Sequence, residues 1–240
     1  MNNLVIIPAR GGSKRIPKKN IRLFCGEPII SYSIRAALES GCFSEVMVST
    51  DSEEIAAVAE KYGAAVPFFR SAESAGDLAT TSDVIKEVLE QYRNNGKVFA
   101  EVCCLFPTAP FVTAEKLRIA AGILDNDSEV DTVLPVVRFS YPPQRGLIKN
   151  GKYLVMREPE HSRTRSQDLP PIYHDAGQFL YFRSEPFLLI GDLMRTKLAP
   201  LVISELEVQD IDDETDWVLA EQKYRLMKES DNERKDTAGD

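Results

Sequence analysis

Leu4-Val5-Ile6-Ile7-Pro8-Ala9-Arg10-Gly11-Gly12-Ser13-Lys14-Arg15-Ile16-Pro17-Lys18-Lys19-Asn20 is the stretch whose pattern decides the fold. Residues 4–7 are continuously apolar and stop at Pro8, as in a short strand buried on both faces. The next segment is Gly-rich and basic: Arg10, Lys14, Arg15, Lys18 and Lys19 surround Gly11, Gly12 and Ser13. Glycines let backbone N–H groups approach phosphate oxygens, and Arg and Lys add charge-assisted hydrogen bonds. A buried strand feeding such a loop at the first β-to-α crossing predicts a polyphosphate cradle rather than a solvated basic turn. The loop matches neither GxxxxGK[ST] nor GxGxxG, which argues against an ATPase of the usual kind and against a dehydrogenase.

Outward from the loop, strands and helices alternate. The spacing predicts a helix over 28–40, with Ile30, Ile34, Ala37 and Leu38 on one face and Gly41 as its stop. Residues 45–49 read as a second strand, followed by Asp51 or Ser52 capping a helix over 53–62. Further strands are expected over 65–69, 98–105, 132–137 and at Val202-Ile203. Further helices are expected over 82–94, over 114–124 behind Thr113, and over 216–227. This alternation predicts an α/β fold with a Rossmann-like, doubly wound, mostly parallel sheet. Ligands of such sheets sit beyond the carboxyl ends of the strands, where Arg10, Asp51 and Thr108 fall.

Residues 139–182 interrupt the alternation with Tyr141-Pro142-Pro143, Asn150-Gly151 and Leu169-Pro170-Pro171. Asn150-Gly151, between Leu147-Ile148 and Tyr153-Leu154-Val155, signals a hairpin. The expected organisation is a main domain over 1–138 and 183–228, an insertion over 139–182 and a frayed charged tail over 229–240. Apolar residues on the hairpin, Leu147, Tyr153 and Val155, suit pairing with a second copy.

Composition narrows the function classes. A chain of 240 residues suits one α/β domain, and its formal net charge of -8 disfavours general nucleic-acid binding. No apolar run approaches the roughly 20 residues that span a bilayer. The start of the chain lacks the pattern of a signal peptide, so a cytoplasmic location is expected. Cys25, Cys42, Cys103 and Cys104 show no CxxC pair and no metal spacing, consistent with free thiols in a reducing compartment.

Asp210 and Asp212 form a second chemical signal. Alternate residues of an extended segment point the same way, so both carboxylates can face one ligand, and an oxygen pair suits Mg²⁺. The competing reading is an acidic helix N-terminus, with Asp212, Asp213, Glu214 and Asp216 complementing the dipole of the last helix. Both can hold, with Asp213 and Glu214 serving the helix. His161 and His174 have no metal-ligand spacing and belong to no Ser-His-Asp pattern.

The segment from Ile7 to Asn20 resembles the signature of the cytidylyltransferases that activate nonulosonic acids. Val48-Ser49-Thr50-Asp51, Arg70-Ser71-Ala72-Glu73, Pro107-Thr108-Ala109-Pro110 and Asp210-Ile211-Asp212 are similar to further blocks of that family, in family order. The resemblance implies transfer of CMP from CTP to a sugar acid, with release of pyrophosphate, to supply CMP-sugars for surface glycans or flagellin. It implies that Arg10, Gly11, Ser13, Lys19 and Asn20 contact phosphate and ribose, that Arg70, Ala79 and Thr81 hold cytosine, and that Asp210 and Asp212 bind Mg²⁺. Arg10, Lys19, Asp210 and Asp212 then carry catalysis. For the sugar it points to Phe106, Arg145, Arg165, Gln167 and His174, with Arg157 and Arg163 as further basic groups of the insertion. It also implies a homodimer.

Two positions depart from the sialic acid branch: Phe106 stands where Gln is usual, and Ser166 where a second Arg often follows Arg165. Phe68-Phe69-Arg70-Ser71 and Tyr173-His174-Asp175-Ala176-Gly177 resemble the pseudaminic acid branch instead. Sialic and legionaminic acids are the alternative substrates. A catalytically silent nucleotide-binding regulator is the alternative of another class, and its mark would be loss of the basic loop or of the carboxylate pair. Both are present.

Overall fold

The structure, a computed structural model, describes residues 2–76 and 78–237, with side chains described through residue 229. In chain order, strand β1 (Asn3–Pro8) leads through the basic loop to a two-stranded ribbon, β2 (Leu23–Phe24) and β3 (Glu27–Pro28). Helix α1 (Ile29–Ser40), β4 (Glu45–Ser49) and α2 (Glu53–Lys61) come next. Then come α3 (Ala72–Ala75), α4 (Thr81–Asn94), β5 (Glu101–Leu105), α5 (Ala114–Asn126) and β6 (Thr132–Arg138). The hairpin β7 (Leu147–Asn150) and β8 (Tyr153–Met156) precedes β9 (Tyr173–Asp175), β10 (Phe179–Arg183) and α6 (Ser184–Ile190). The chain closes with β11 (Leu198–Val202) and α7 (Glu214–Thr237).

Seven strands form the main sheet in the order β11-β6-β10-β5-β1-β4, with β9 also on β6. The alternation of buried side chains builds a core on each face. Val5, Ile7, Cys103, Leu105, Phe179 and Tyr181 face α1, α2 and α5, while Leu4, Ile6, Val102, Cys104, Leu180 and Phe182 face α4 and α6. Helices on both faces explain why these strands read as unbroken apolar runs rather than alternating ones. A third apolar cluster joins Ile16 of the basic loop to Phe24, Tyr32, Ile211 and Trp217, so the loop and the segment before α7 share one anchor.

The expected doubly wound layering is present, but the sheet is mixed. β1 pairs in parallel with β4 and β5, and β6 with β11. β10 lies antiparallel between β5 and β6, and β9 antiparallel on β6. The cause is the return of the chain from the insertion: β9 runs back along β6, bends at Gly177 (φ +62°), and continues as β10 into the gap beside β5. β9 and all but the last residue of β10 fall within the stretch 139–182 read as insertion, yet they belong to the central sheet. All five parallel strands still end on one edge.

Smaller differences have local reasons. Over 65–69 only a bridge between Met47 and Ala65 forms, since Pro67 has no N–H to continue a ladder. The last helix extends past Met227 to Thr237, because that stretch has no Gly or Pro and is rich in the helix formers Glu, Lys and Arg. Of the tail expected over 229–240, the final three residues lie outside the described residues. Among the described residues, no helix is long and apolar enough to cross a membrane. All four cysteines are free thiols.

Candidate active site

The basic loop is fixed by its own backbone and by the neighbouring strand end. Asn20 is buried, and its side-chain amide donates to the Arg10 carbonyl at 2.9 Å, closing the loop on itself. Asp51, at the carboxyl end of β4, accepts from the Gly11 N–H at 2.8 Å. Ser13 N donates to the Gly11 carbonyl at 3.1 Å. A Cβ on Gly11 would stand 3.2 Å from the Ser52 Cβ, so glycine lets the loop approach the start of α2 without displacing it. Lys18 adopts φ +52° and turns its ammonium to Glu54 of α2 at 2.7 Å, away from the loop's concave side.

Arg10, Ser13, Lys14, Arg15, Lys19 and Asn20 line one side of a cleft of about 410 Å³ at the carboxyl ends of β1 and β5. Phe106, Pro107, Thr108 and Asp212 line the other. Arg15 donates to Asp212 at 2.7 Å, and the Lys19 ammonium to the Ile211 carbonyl at 2.6 Å. The loop and the Asp210–Asp212 segment therefore meet across one opening, through partners 197 and 192 positions apart in the chain. Burial lowers the Lys19 pKa, opposed by the charges of Asp212 and Asp210. Burial, and then the charge of Asp212, raises the Asp210 carboxyl above its ordinary range, with Lys19 opposing.

Ile211 is buried in the third core, so its flanking carboxylates are held off the core by strand-like alternation. Asp212 opens into the loop cleft, whereas Asp210 lines the adjoining pocket of about 470 Å³ with His174, Gly177 and Lys223. The rival role is filled by their neighbours. Asp213 accepts from Asp216 N and Asp216 accepts from Asp213 N, both at 3.0 Å, a reciprocal cap at the start of α7. Glu214 pairs with Arg22 at 2.5 Å, and the Arg22 guanidinium stacks 4.5 Å over the Trp217 ring.

The other expected site residues are spread more widely. Arg70 is drawn under the end of β4, its guanidinium donating to the Ser49 carbonyl at 2.8 Å and to the Ser49 hydroxyl at 3.1 Å. Burial lowers its pKa, against the charge of Asp51. Ala79 lines a separate shallow pocket with Ser71 and Ser74. Thr81 opens α4, and Thr80 with Asp83 forms the capping box of that helix. Gln167 lines a further pocket with Arg138, Phe139 and Ser166. Arg145 donates to the Ser166 hydroxyl at 2.9 Å instead of facing the loop cleft. Arg165 caps the short turn Ser166–Asp168 by position and lines neither the loop cleft, nor the His174 pocket, nor the Gln167 pocket.

Sequence reasoning passed over Asp51 as the partner of Gly11 and Arg15 as the partner of Asp212. Asp51 carried a signal, its place at a strand's carboxyl end; the Arg15 pairing had none. Among the described residues, three ligating side chains approach within 4.8 Å of one another only at Glu158, Glu160 and His161. There Glu158 is engaged by Arg157 at 3.0 Å. Asp210 and Asp212 bring two carboxylates to the edge beside the loop, with Asp212 paired to Arg15.

A basic loop after the first strand, closed by a carboxylate segment before the last helix at the carboxyl edge of a doubly wound sheet, defines the class of α/β nucleotidyltransferases. Residues 4–214 match the family model described as Cytidylyltransferase, and the chain belongs to that family of enzymes. A pseudaminic acid cytidylyltransferase of Campylobacter jejuni subsp. jejuni serotype O:2 is 40% identical over 232 residues, covering 96% of this chain and 99% of its own. A CMP-N,N'-diacetyllegionaminic acid synthase of Legionella pneumophila subsp. pneumophila is 36% identical over 236 residues, with the same two coverages of 96% and 99%. Among solved structures, a CMP:2-keto-3-deoxy-manno-octonic acid synthetase complexed with CTP superposes with a TM-score of 0.68 at 16% identity, covering 95% of this chain and 100% of that one. That last likeness is one of fold.

Proposed function

We propose that the chain transfers CMP from CTP to the anomeric hydroxyl of pseudaminic acid, releasing pyrophosphate. The observation that carries this reading is the single cleft in which Arg10, Lys14 and Lys19 face Phe106, Thr108 and Asp212. The 40% identical pseudaminic acid relative and the two departures at Phe106 and Ser166 support the sugar. The 36% identical legionaminic acid relative makes that acid the rival substrate.

In this reading the sugar hydroxyl oxygen attacks the α-phosphorus, the bond from that phosphorus to the bridging oxygen of the β-phosphate breaks, and pyrophosphate leaves. Arg10 and Lys19 hold the triphosphate and offset its growing charge, as preorganised donors in a cleft do. Asn20 fixes the Arg10 backbone, and Asp51 fixes that of Gly11, so the donors are in place before substrate arrives. Arg70, Ala79 and Thr81 take the cytosine, and Phe106 and His174 flank the sugar. Asp210 and Asp212 are the carboxylates that would hold a divalent ion: each offers oxygen ligands of the kind Mg²⁺ prefers, beside the basic loop that faces the triphosphate. Mg²⁺ bound there would neutralise charge on the transferring phosphoryl group. The exposed apolar residues of the β7–β8 hairpin, Leu147, Tyr153 and Leu154, serve a homodimer interface.

The test is pyrophosphate release from CTP and Mg²⁺ across a panel of pseudaminic, legionaminic and N-acetylneuraminic acids. The highest kcat/KM is expected with pseudaminic acid, and Lys19→Ala should lower it by about 100-fold or more, the scale of losing one such donor. Preference for another acid would overturn the sugar assignment. CTP binding without release for any acid would overturn the enzymatic reading of the site.

A further inference from the structure

Gln178 stands immediately before β10, only 2% exposed, next to Gly177, which lines the His174 pocket. Its backbone carbonyl accepts from Phe106 N at 3.0 Å, extending the β5–β10 ladder to the residue that lines the loop cleft. Its side-chain Nε2 donates to the Glu207 carbonyl at 2.6 Å. Glu207 begins the stretch that runs through Val208 and Gln209 to Asp210, Ile211 and Asp212. The first bond is a ladder bond that any residue would supply; the second needs a long side chain with a donor at its end. The Oε1 of the same amide is buried and has no hydrogen-bond partner. An unmet buried acceptor is unfavourable, and an apolar residue of the same size would remove it.

We infer that Gln178 is a positioning residue of the transfer reaction: its amide ties the Asp210–Asp212 segment to the strand end carrying Phe106. This rests on the function proposed above. Gln178 reaches both segments at once, one through its backbone carbonyl and the other through its side-chain amide. The rest of the stretch is held from elsewhere: Lys223 donates to the Val208 carbonyl at 2.8 Å, and Lys116 pairs with the Glu207 carboxylate at 3.3 Å. The backbone of the phosphate loop is held through Asn20 and Asp51, and its Arg15 and Lys19 side chains reach Asp212 and the Ile211 carbonyl at the far end of the stretch. Loss of the amide should therefore shift the start of the carboxylate stretch relative to the strand end carrying Phe106, while the backbone of the loop keeps its Asn20 and Asp51 bonds.

The full chain with Gln178→Met, which keeps the side-chain length without the donor, and with Gln178→Asn, which keeps the amide one methylene short, provides the test. Each is assayed by steady-state kinetics, calorimetric titration with CTP and thermal melting. In both variants kcat should fall about 10- to 100-fold, the scale of a small misplacement of reacting groups. The dissociation constant of CTP should stay within about twofold, and Gln178→Met should melt close to wild type, because removal of the unmet acceptor offsets the lost bond to Glu207. An unchanged kcat, or a loss of kcat matched by loss of CTP affinity and of melting temperature, overturns the inference. If one variant does not fold, the other carries the same comparison. Wild-type enzyme that turns over no sugar acid would instead sink the underlying function, which separates the two failures.

Discussion

Gly11 shows how a single residue couples the basic loop to the sheet. Its N–H is held by Asp51, and its missing side chain makes room for Ser52 at the start of α2. Gly11→Ala would force the loop or the α2 N-terminus to shift by a few tenths of an ångström, an overpacking that costs about 1–3 kcal/mol. The KM for CTP should rise about tenfold, since about 1.4 kcal/mol is a factor of ten. Steady-state kinetics checks this, and an unchanged KM would show that the loop tolerates the displacement. At the same scale, Arg15 on Asp212 and Lys19 on the Ile211 carbonyl were invisible in the sequence, because nothing local to either partner marks a pairing across 197 or 192 positions.

At the scale of elements, caps were the most legible feature. Ser52, Thr113 and the end of α1 at Gly41 stand where side-chain chemistry predicted, since each depends only on residues within one turn. Thr80 and Asp83 form the capping box of α4, next to the residues expected to hold cytosine. Hydrogen bonds from Thr80 hold the Asp83 carboxyl below its ordinary range. The cap is therefore complete at neutral pH and weakens as pH falls through that lowered value. Thr80→Ala should lower unfolding free energy by about 1 kcal/mol in urea titration, as for a lost N-cap. A midpoint unchanged from wild type would mean that the packing of Val84, Ile85 and Val88 alone fixes this helix end.

For the whole molecule, the β7–β8 hairpin projects with Leu147, Ile148, Tyr153 and Leu154 all more than half exposed. An isolated two-stranded ribbon is marginal in water, so the proposed dimer gives those side chains a surface to pack on. Leu154→Lys with Tyr153→Lys should shift the enzyme from dimer to monomer in analytical ultracentrifugation at micromolar concentration. A wild-type chain already monomeric there would discard the dimer.

The layering of helices on both faces, the strand at Glu45–Ser49, the Asn150-Gly151 hairpin and the cationic loop were readable from the chain alone. Each rests on interactions between near neighbours or on the periodicity of burial. The antiparallel entry of β10 between β5 and β6 was decided only by the tertiary structure, as were the joining of Asp212 to Arg15 and of Gln178 to Glu207. These contacts join residues separated by tens to hundreds of positions, and their free energy comes from closing the sheet and the third core, which no local pattern encodes.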